Sequence, residues 1–242
     1  MAEDFAASGR TDEYHCYLVD PFTLSQVAEV DFAADGTSVT YDYESANSSG
    51  AKIKLADGTD YRRGGKSYML RLVDFITLPS GAQYSDVLGT FFADNCASTS
   101  LYGHVSRELS CYSPLWRHSK DALMSDFSRP AGSVVADAIR DLVQADGGKL
   151  SFAADADVTR AFGHGIWFEL GTEKLGAITT MAGWVGCEVL AEPDGSLSMR
   201  RRMEPLQRVP SYTFEEGAGC AYRAGVSFDS SRGEILNRVV YY

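Results

Sequence analysis

In the first half of the chain apolar residues recur at every second position, the period of strands that bury one face. Residues 14–19 form a short aromatic and β-branched run, and residues 28–32 alternate. Residues 38–43 alternate again, with Val39, Tyr41 and Tyr43 on one face, and Ala34-Asp35-Gly36 before them reads as a turn. Residues 51–55, 68–76, 84–92 and 101–112 continue the strand pattern. Asp57-Gly58 and the basic, glycine-bearing stretch 61–65 interrupt it as loops. Short strands with turn residues at such regular intervals predict a sandwich or a barrel.

Beyond residue 114 the period lengthens to that of helices. Residues 115–126 predict a helix ended by Arg129-Pro130. Residues 132–145 predict a second, with Val134, Val135, Ala138, Ile139, Leu142 and Val143 on one face and Gly147-Gly148 as its stop. Strands are expected at 149–152 and at 166–169. A third helix over 172–185 carries Leu175, Ile178, Ala182 and Val185 on one side, with Thr172 as N-cap, Glu173 at its positive end and Gly186 after it. Residues 187–191 and 196–200 then pair as a hairpin across Pro193-Asp194-Gly195. Residues 211–214, 222–228 and 235–242 read as final strands, the last ending on Val-Val-Tyr-Tyr as an edge that another chain or further residues would cover. No internal repeat shows in the pattern.

The 242 residues suffice for a sizeable core. No run of about 18 apolar residues occurs, so no membrane span is expected, and the acidic first ten residues do not form a secretory signal. A net charge of −11 and a pI near 4.8 disfavour sequence-specific nucleic-acid binding, because such a surface repels phosphates. The same charge suits solubility, or the wall of a channel along which DNA slides without sticking. Five cysteines, an odd number with no C-x-x-C spacing, fit reduced thiols acting as small buried hydrophobes.

Candidate chemistry is sparse. Gly65-Lys66-Ser67 lacks the first glycine of a phosphate loop, since Asp60 stands there, and leads into a strand rather than a helix. His164, between Gly163 and Gly165, has no second histidine at helical spacing to share a metal. Cys111 and His118 are close enough in sequence for a nucleophile and its base, but no orienting residue or oxyanion hole accompanies them. Arg200-Arg201-Arg202, with Arg208, is the one basic run, either an exposed strand end or a patch for an acidic neighbouring subunit. Aromatics such as Tyr41, Tyr68, Phe92 and Trp167 fall along strands, where core packing and glycan binding both use them. No catalytic residues, cofactor or metal are expected, and the chain is not expected to be an enzyme.

Three passages resemble the tail hub proteins of long-tailed phages, the baseplate-hub-like minor tail proteins found in phages and prophages. They are Val39-Thr-Tyr-Asp-Tyr-Glu-Ser-Ala-Asn-Ser-Ser-Gly-Ala-Lys-Ile-Lys-Leu; the Pro130-Ala131-Gly132 lead-in to a helix ending at Gly147-Gly148; and Gly171-Thr172-Glu173-Lys174-Leu175 running through the Pro193-Asp194-Gly195 hairpin to Tyr212-Thr213-Phe214 and Asn237-Arg238-Val239-Val240. The resemblance covers roughly residues 14 to 242. It implies an α+β, mostly β fold with two tube-like β-barrel or sandwich modules and inserted helices. The expected organisation is a flexible arm at 1–12, a first tube-like module at 13–113, a helical or α+β insertion at 114–165, and a helix-plus-hairpin unit with a second, incompletely closed tube-like module at 166–242. It further implies a structural virion protein of the tail tip, assembled in the host cytoplasm as a homotrimer. The implied partners are the distal tail ring or tail tube protein, the tape measure protein and tail-tip or fibre proteins, with DNA passing through the channel unread. A carbohydrate- or receptor-binding module and, further off, a tail-tip hydrolase are the rival readings.

Overall fold

The computed structural model describes residues 10–41, 49–56, 59, 61–62, 67–101 and 104–202. Seven strands form one antiparallel sheet: β1 (Thr11–Val19), β2 (Gln26–Glu29), β3 (Phe32–Tyr41), β4 (Ser49–Leu55), β5 (Met69–Thr77), β6 (Gln83–Leu101) and β7 (His104–Tyr112), in the spatial order β2-β1-β5-β6-β7-β4-β3. Alternation does what the pattern requires. Cys16, Leu18, Ile53, Leu55, Leu70, Leu72, Phe91, Leu109 and Cys111 all point to one side and pack as a single apolar cluster. The sheet is curved, since the Tyr41 hydroxyl on β3 donates to Leu88 O on β6, three strands away in the sheet order. No closed barrel is formed among the described residues.

Ala34-Asp35-Gly36 is not a turn between strands but an irregularity inside β3, where the register against β4 shifts between Ala33 and Ser38 and Thr37 Oγ1 donates to Ala33 O at 2.7 Å. The helix expected over 115–126 is only α1 (Leu115–Ser119), and the residues after it run on to strand β8 (Phe127–Arg129).

The rest of the described chain is an α/β module: β8, α2 (Val135–Ala145), β9 (Leu150–Phe152), β10 (Ile166–Phe168), α3 (Lys174–Trp184), β11 (Cys187–Ala191) and β12 (Leu197–Arg201). β8 pairs with β10, and β12 lies between antiparallel β11 and parallel β9. The apolar faces of α2 and α3 meet in a second core that includes Ile139, Val143, Ile178, Met181 and Met199, all essentially inaccessible. The N-cap of α3 is Glu173, without a side-chain bond, rather than Thr172.

Contrary to the sequence pattern, this module is an internal duplication. Residues 121–152 superpose in kind on 160–191, an offset of 39 set by Gly132 and Gly171. β8 corresponds to β10, α2 to α3, and Gly147 to Gly186. The halves exchange their leading segments. Leu123 N donates to Thr172 O and Gly171 N to Leu123 O, both at 2.9 Å, and the counterparts Phe162 N to Ser133 O and Gly132 N to Phe162 O repeat this at the same distance. Lys174 N to Asp121 O and Val135 N to Arg160 O form the next such pair, each 3.0 Å. In the β8–β10 ladder Ser128 faces its own counterpart Trp167, so a local two-fold axis passes between them. Gly132 and Gly171 both sit at φ +85°, a left-handed backbone that a β-carbon disfavours, which explains why glycine recurs.

Candidate functional site: the seam between sheet and α/β module

The tip of the β11–β12 hairpin lies on the face of the sheet opposite its core cluster. Thr90 Oγ1 on β6 donates to Pro193 O at 2.7 Å, Arg71 Nη2 on β5 donates to Asp194 O at 2.7 Å, and Arg71 Nε donates to Thr90 Oγ1 at 3.1 Å. Gly195 is needed at this contact, because a β-carbon there would stand 2.9 Å from Thr90 Cγ2. The loop after β1 adds a second contact: Lys149 Nζ donates to Thr23 O at 2.6 Å, and the Arg117 guanidinium lies 5.2 Å above the Phe22 ring. A cavity of about 470 Å³ opens beside it between Pro21, Phe22, Tyr68, Phe92, Trp116 and Arg117.

Beneath the seam lies a buried polar cluster. Lys174 Nζ, on the first residue of α3, donates to Asp121 Oδ2 at 2.5 Å and to Asp146 Oδ1 at 2.6 Å. Burial opposes the ammonium charge, but the two carboxylates outweigh it and hold the Lys174 pKa above its ordinary value. The hydrogen bond from Lys174 in turn lowers that of Asp121. His118 on α1, 2% exposed, faces the other oxygen of Asp146 from 3.4 Å, and neither His118 Nδ1 nor Asp146 Oδ2 has a hydrogen-bond partner. Burial lowers the His118 pKa; Asp146 works against that and Arg117 and Lys174 reinforce it. The cluster ties α1, the C-terminal end of α2 and the N-terminal end of α3 together. Sequence reading missed it, although a lysine in the slot that Val135 fills in the other half was the available signal.

The residues singled out from the sequence do not converge. Cys111 lies on β7 with its thiol on the core side, donating to Leu109 O at 3.8 Å, and burial pushes its pKa up to about 12, away from the thiolate a nucleophile needs. Cys16 behaves alike, also at about 12. His118 is turned to Asp146. His164 sits in an exposed loop. Of the phosphate-loop fragment, Gly65 and Lys66 lie outside the described residues, as do Arg208 and the strands expected beyond residue 202. Arg200 pairs with Glu188 across the hairpin at 3.1 Å, while Arg201 and Arg202 are exposed. Among the described residues no three His, Cys, Asp or Glu side chains gather as a metal site, and no helix is long and apolar enough to cross a membrane. The seam is thus built from carbonyl contacts and one guanidinium–ring contact, with the buried ions beneath it.

No protein-family model matches the sequence, and no curated protein matches it in sequence. Solved structures do match. The 43 kDa tail protein of prophage MuSo2 from Shewanella oneidensis aligns over 79% of this chain and 54% of its own, at 14% identity and a TM-score of 0.51. A tail protein from Neisseria meningitidis MC58 aligns over 77% and 50% (14% identity, TM-score 0.44), and the prophage tail protein gp18 from Listeria monocytogenes EGD-e over 77% and 50% (9% identity, TM-score 0.46). The chain spans about half the length of the tail proteins it matches. Over the aligned part, about half of that protein, the chain shares the fold of the MuSo2 tail protein.

Proposed function

We propose that this chain is a structural protein of a phage or prophage tail, the hub that joins the tail tube or distal tail ring to the tip and encloses the DNA channel. The observation that carries the reading is the fold shared with the MuSo2 tail protein. A homotrimer, with the second tube-like module within residues 166–242, is the assembly this reading entails. Its acidic balance of −11 suits a conduit for DNA. The Cys16 and Cys111 thiols, held protonated by burial, favour a role in assembly rather than catalysis. Light scattering of the purified chain, with electron-microscope class averages of the same peak, tests it. A ring of three subunits with a central hole wide enough for duplex DNA is expected. A monomer that stays monomeric when a distal tail ring is added overturns it.

The aromatic cavity beside Phe22 and Trp116 supports a second reading, a glycan- or receptor-binding module of a tail. Saturable glycan binding that is lost in Trp116→Ala would favour that one.

A further inference from the structure

The duplication supplies its own control for surface residues. Two copies of one backbone need the same core, so a large apolar side chain that only one copy carries at an exposed position is not there for the fold. Met124 and Leu170 are 86% and 63% exposed. They lie side by side, because Leu123 O accepts from Gly171 N and Asp126 Oδ1 accepts from Leu170 N. The counterparts of Met124 and Leu170 at the other end of the two-fold are Gly163 and Ala131, also exposed. The same backbone therefore tolerates the absence of both apolar side chains. The charges around the pair differ likewise. Asp126, which accepts from Leu170 N, Glu169 and Glu173 are all exposed on the same two backbone segments, where the other copy has Gly165, Pro130 and Val134.

We propose that this end of the module, Met124 and Leu170 with Asp126, Glu169 and Glu173, is a docking surface for a partner protein that presents an aliphatic anchor flanked by lysine or arginine. Two exposed aliphatic side chains supply the buried contact, and the carboxylates select the sign of what surrounds it. The inference goes beyond the tail assignment and does not depend on it.

A fluorescein-labelled peptide of alternating leucine and lysine serves as the probe, read by anisotropy against the full chain, with a leucine–glutamate peptide as control. The leucine–lysine peptide is expected to bind saturably and the control not at all. Met124→Gly with Leu170→Ala copies the other half of the module and leaves the net charge at −11, so simple attraction of a basic peptide survives it. It is expected to weaken binding at least tenfold while circular-dichroism melting stays within a few degrees. Glu169→Lys, an exposed change, is expected to weaken binding severalfold. The proposal is overturned if the leucine–lysine peptide does not bind, if both variants bind it as the parent does, or if the control peptide binds equally. It is also overturned if light scattering shows the parent self-associating through this surface and the double variant not, since the occupant would then be a second copy of the chain.

Discussion

The two halves of the α/β module follow one backbone with almost unrelated sequences. Over 121–152 and 160–191 the identical pairs are Ala122/Ala161, Gly132/Gly171, Ala138/Ala177, Ile139/Ile178 and Gly147/Gly186. Four of the five have a plain physical reason. The two glycine pairs hold positive φ before and after the helix, and Ala138/Ala177 with Ile139/Ile178 are the buried positions where α2 and α3 meet. Other buried positions change identity but stay apolar, as in Leu123/Phe162, Leu142/Met181 and Val143/Ala182, while the buried ions stand at one end only. Lys174 stands where the other half has Val135, and Asp146 where the other half has Val185, and together with Asp121 they form the ion cluster at that end. Geometry is kept by a handful of contacts, and the residues outside that handful record what each end does.

The largest effect expected is in the shared contact. Ile139→Ala and Ile178→Ala each remove a fully buried side chain and are expected to cost about 4 kcal/mol, equal to within about 1 kcal/mol of each other in denaturant unfolding. Clearly unequal losses would break the equivalence of the halves.

Lys174→Val makes the two ends alike and strands Asp121 and Asp146 without their cation. A loss of about 3 kcal/mol is expected. Combining it with Asp121→Asn and Asp146→Val, the last copying Val185, is expected to recover most of that loss, because an ion cluster replaced whole by apolar or neutral groups costs little. If the triple variant is as unstable as the single one, the cluster organises the module beyond its own charges.

How much of this was legible in the sequence follows from the same comparison. The faces of α2 and α3 and the hairpin at Pro193-Asp194-Gly195 were readable because local pattern and tertiary burial agree there. The repeat was not, because conserved backbone needs few conserved letters. Residues 121–126 were misread as helix because Leu123 and Met124 continue the apolar spacing of Leu115 and Trp116. In the structure that stretch instead bonds to residues 171–174 of the other half, a tertiary demand that local spacing does not carry. The Lys174 cluster was hidden for a related reason: Asp121, Asp146 and His118 meet Lys174 only once both halves have folded together.

Gly132→Ala and Gly171→Ala address the turn that opens each helix. Nothing lies within 4 Å of a β-carbon at either position, so the cost is the left-handed backbone alone, about 1 kcal/mol each and alike in thermal melts. A markedly larger loss at Gly171 would show that its end of the module tolerates less movement.

The smallest effect, and the one that separates the ends most cleanly, is that of acid. His118 packs against the end that carries the ions, facing Asp146, Lys174 and its neighbour Arg117, and its pKa in the fold lies below the ordinary 6.5. The unfolded chain therefore takes up a proton that the folded chain refuses. The stability this group contributes is complete above about pH 6.5 and is lost as the pH falls through that value toward the lower folded pKa. Asp121 acts in the same direction only in stronger acid, because its lowered pKa gives stability that persists until the pH falls toward and below 3.8. Lys174, with a raised pKa, contributes stability that is full below 10.5 and so stays constant over this range. Between about pH 7.5 and 5 the cluster's response thus belongs to His118. The melting temperature of the parent is expected to drop across that window, and that of His118→Gln, which keeps a donor toward Asp146 but cannot be charged, to drop less. Parallel curves would mean that His118 takes its proton without cost, and that the two unpartnered atoms, His118 Nδ1 and Asp146 Oδ2, close on each other when it does.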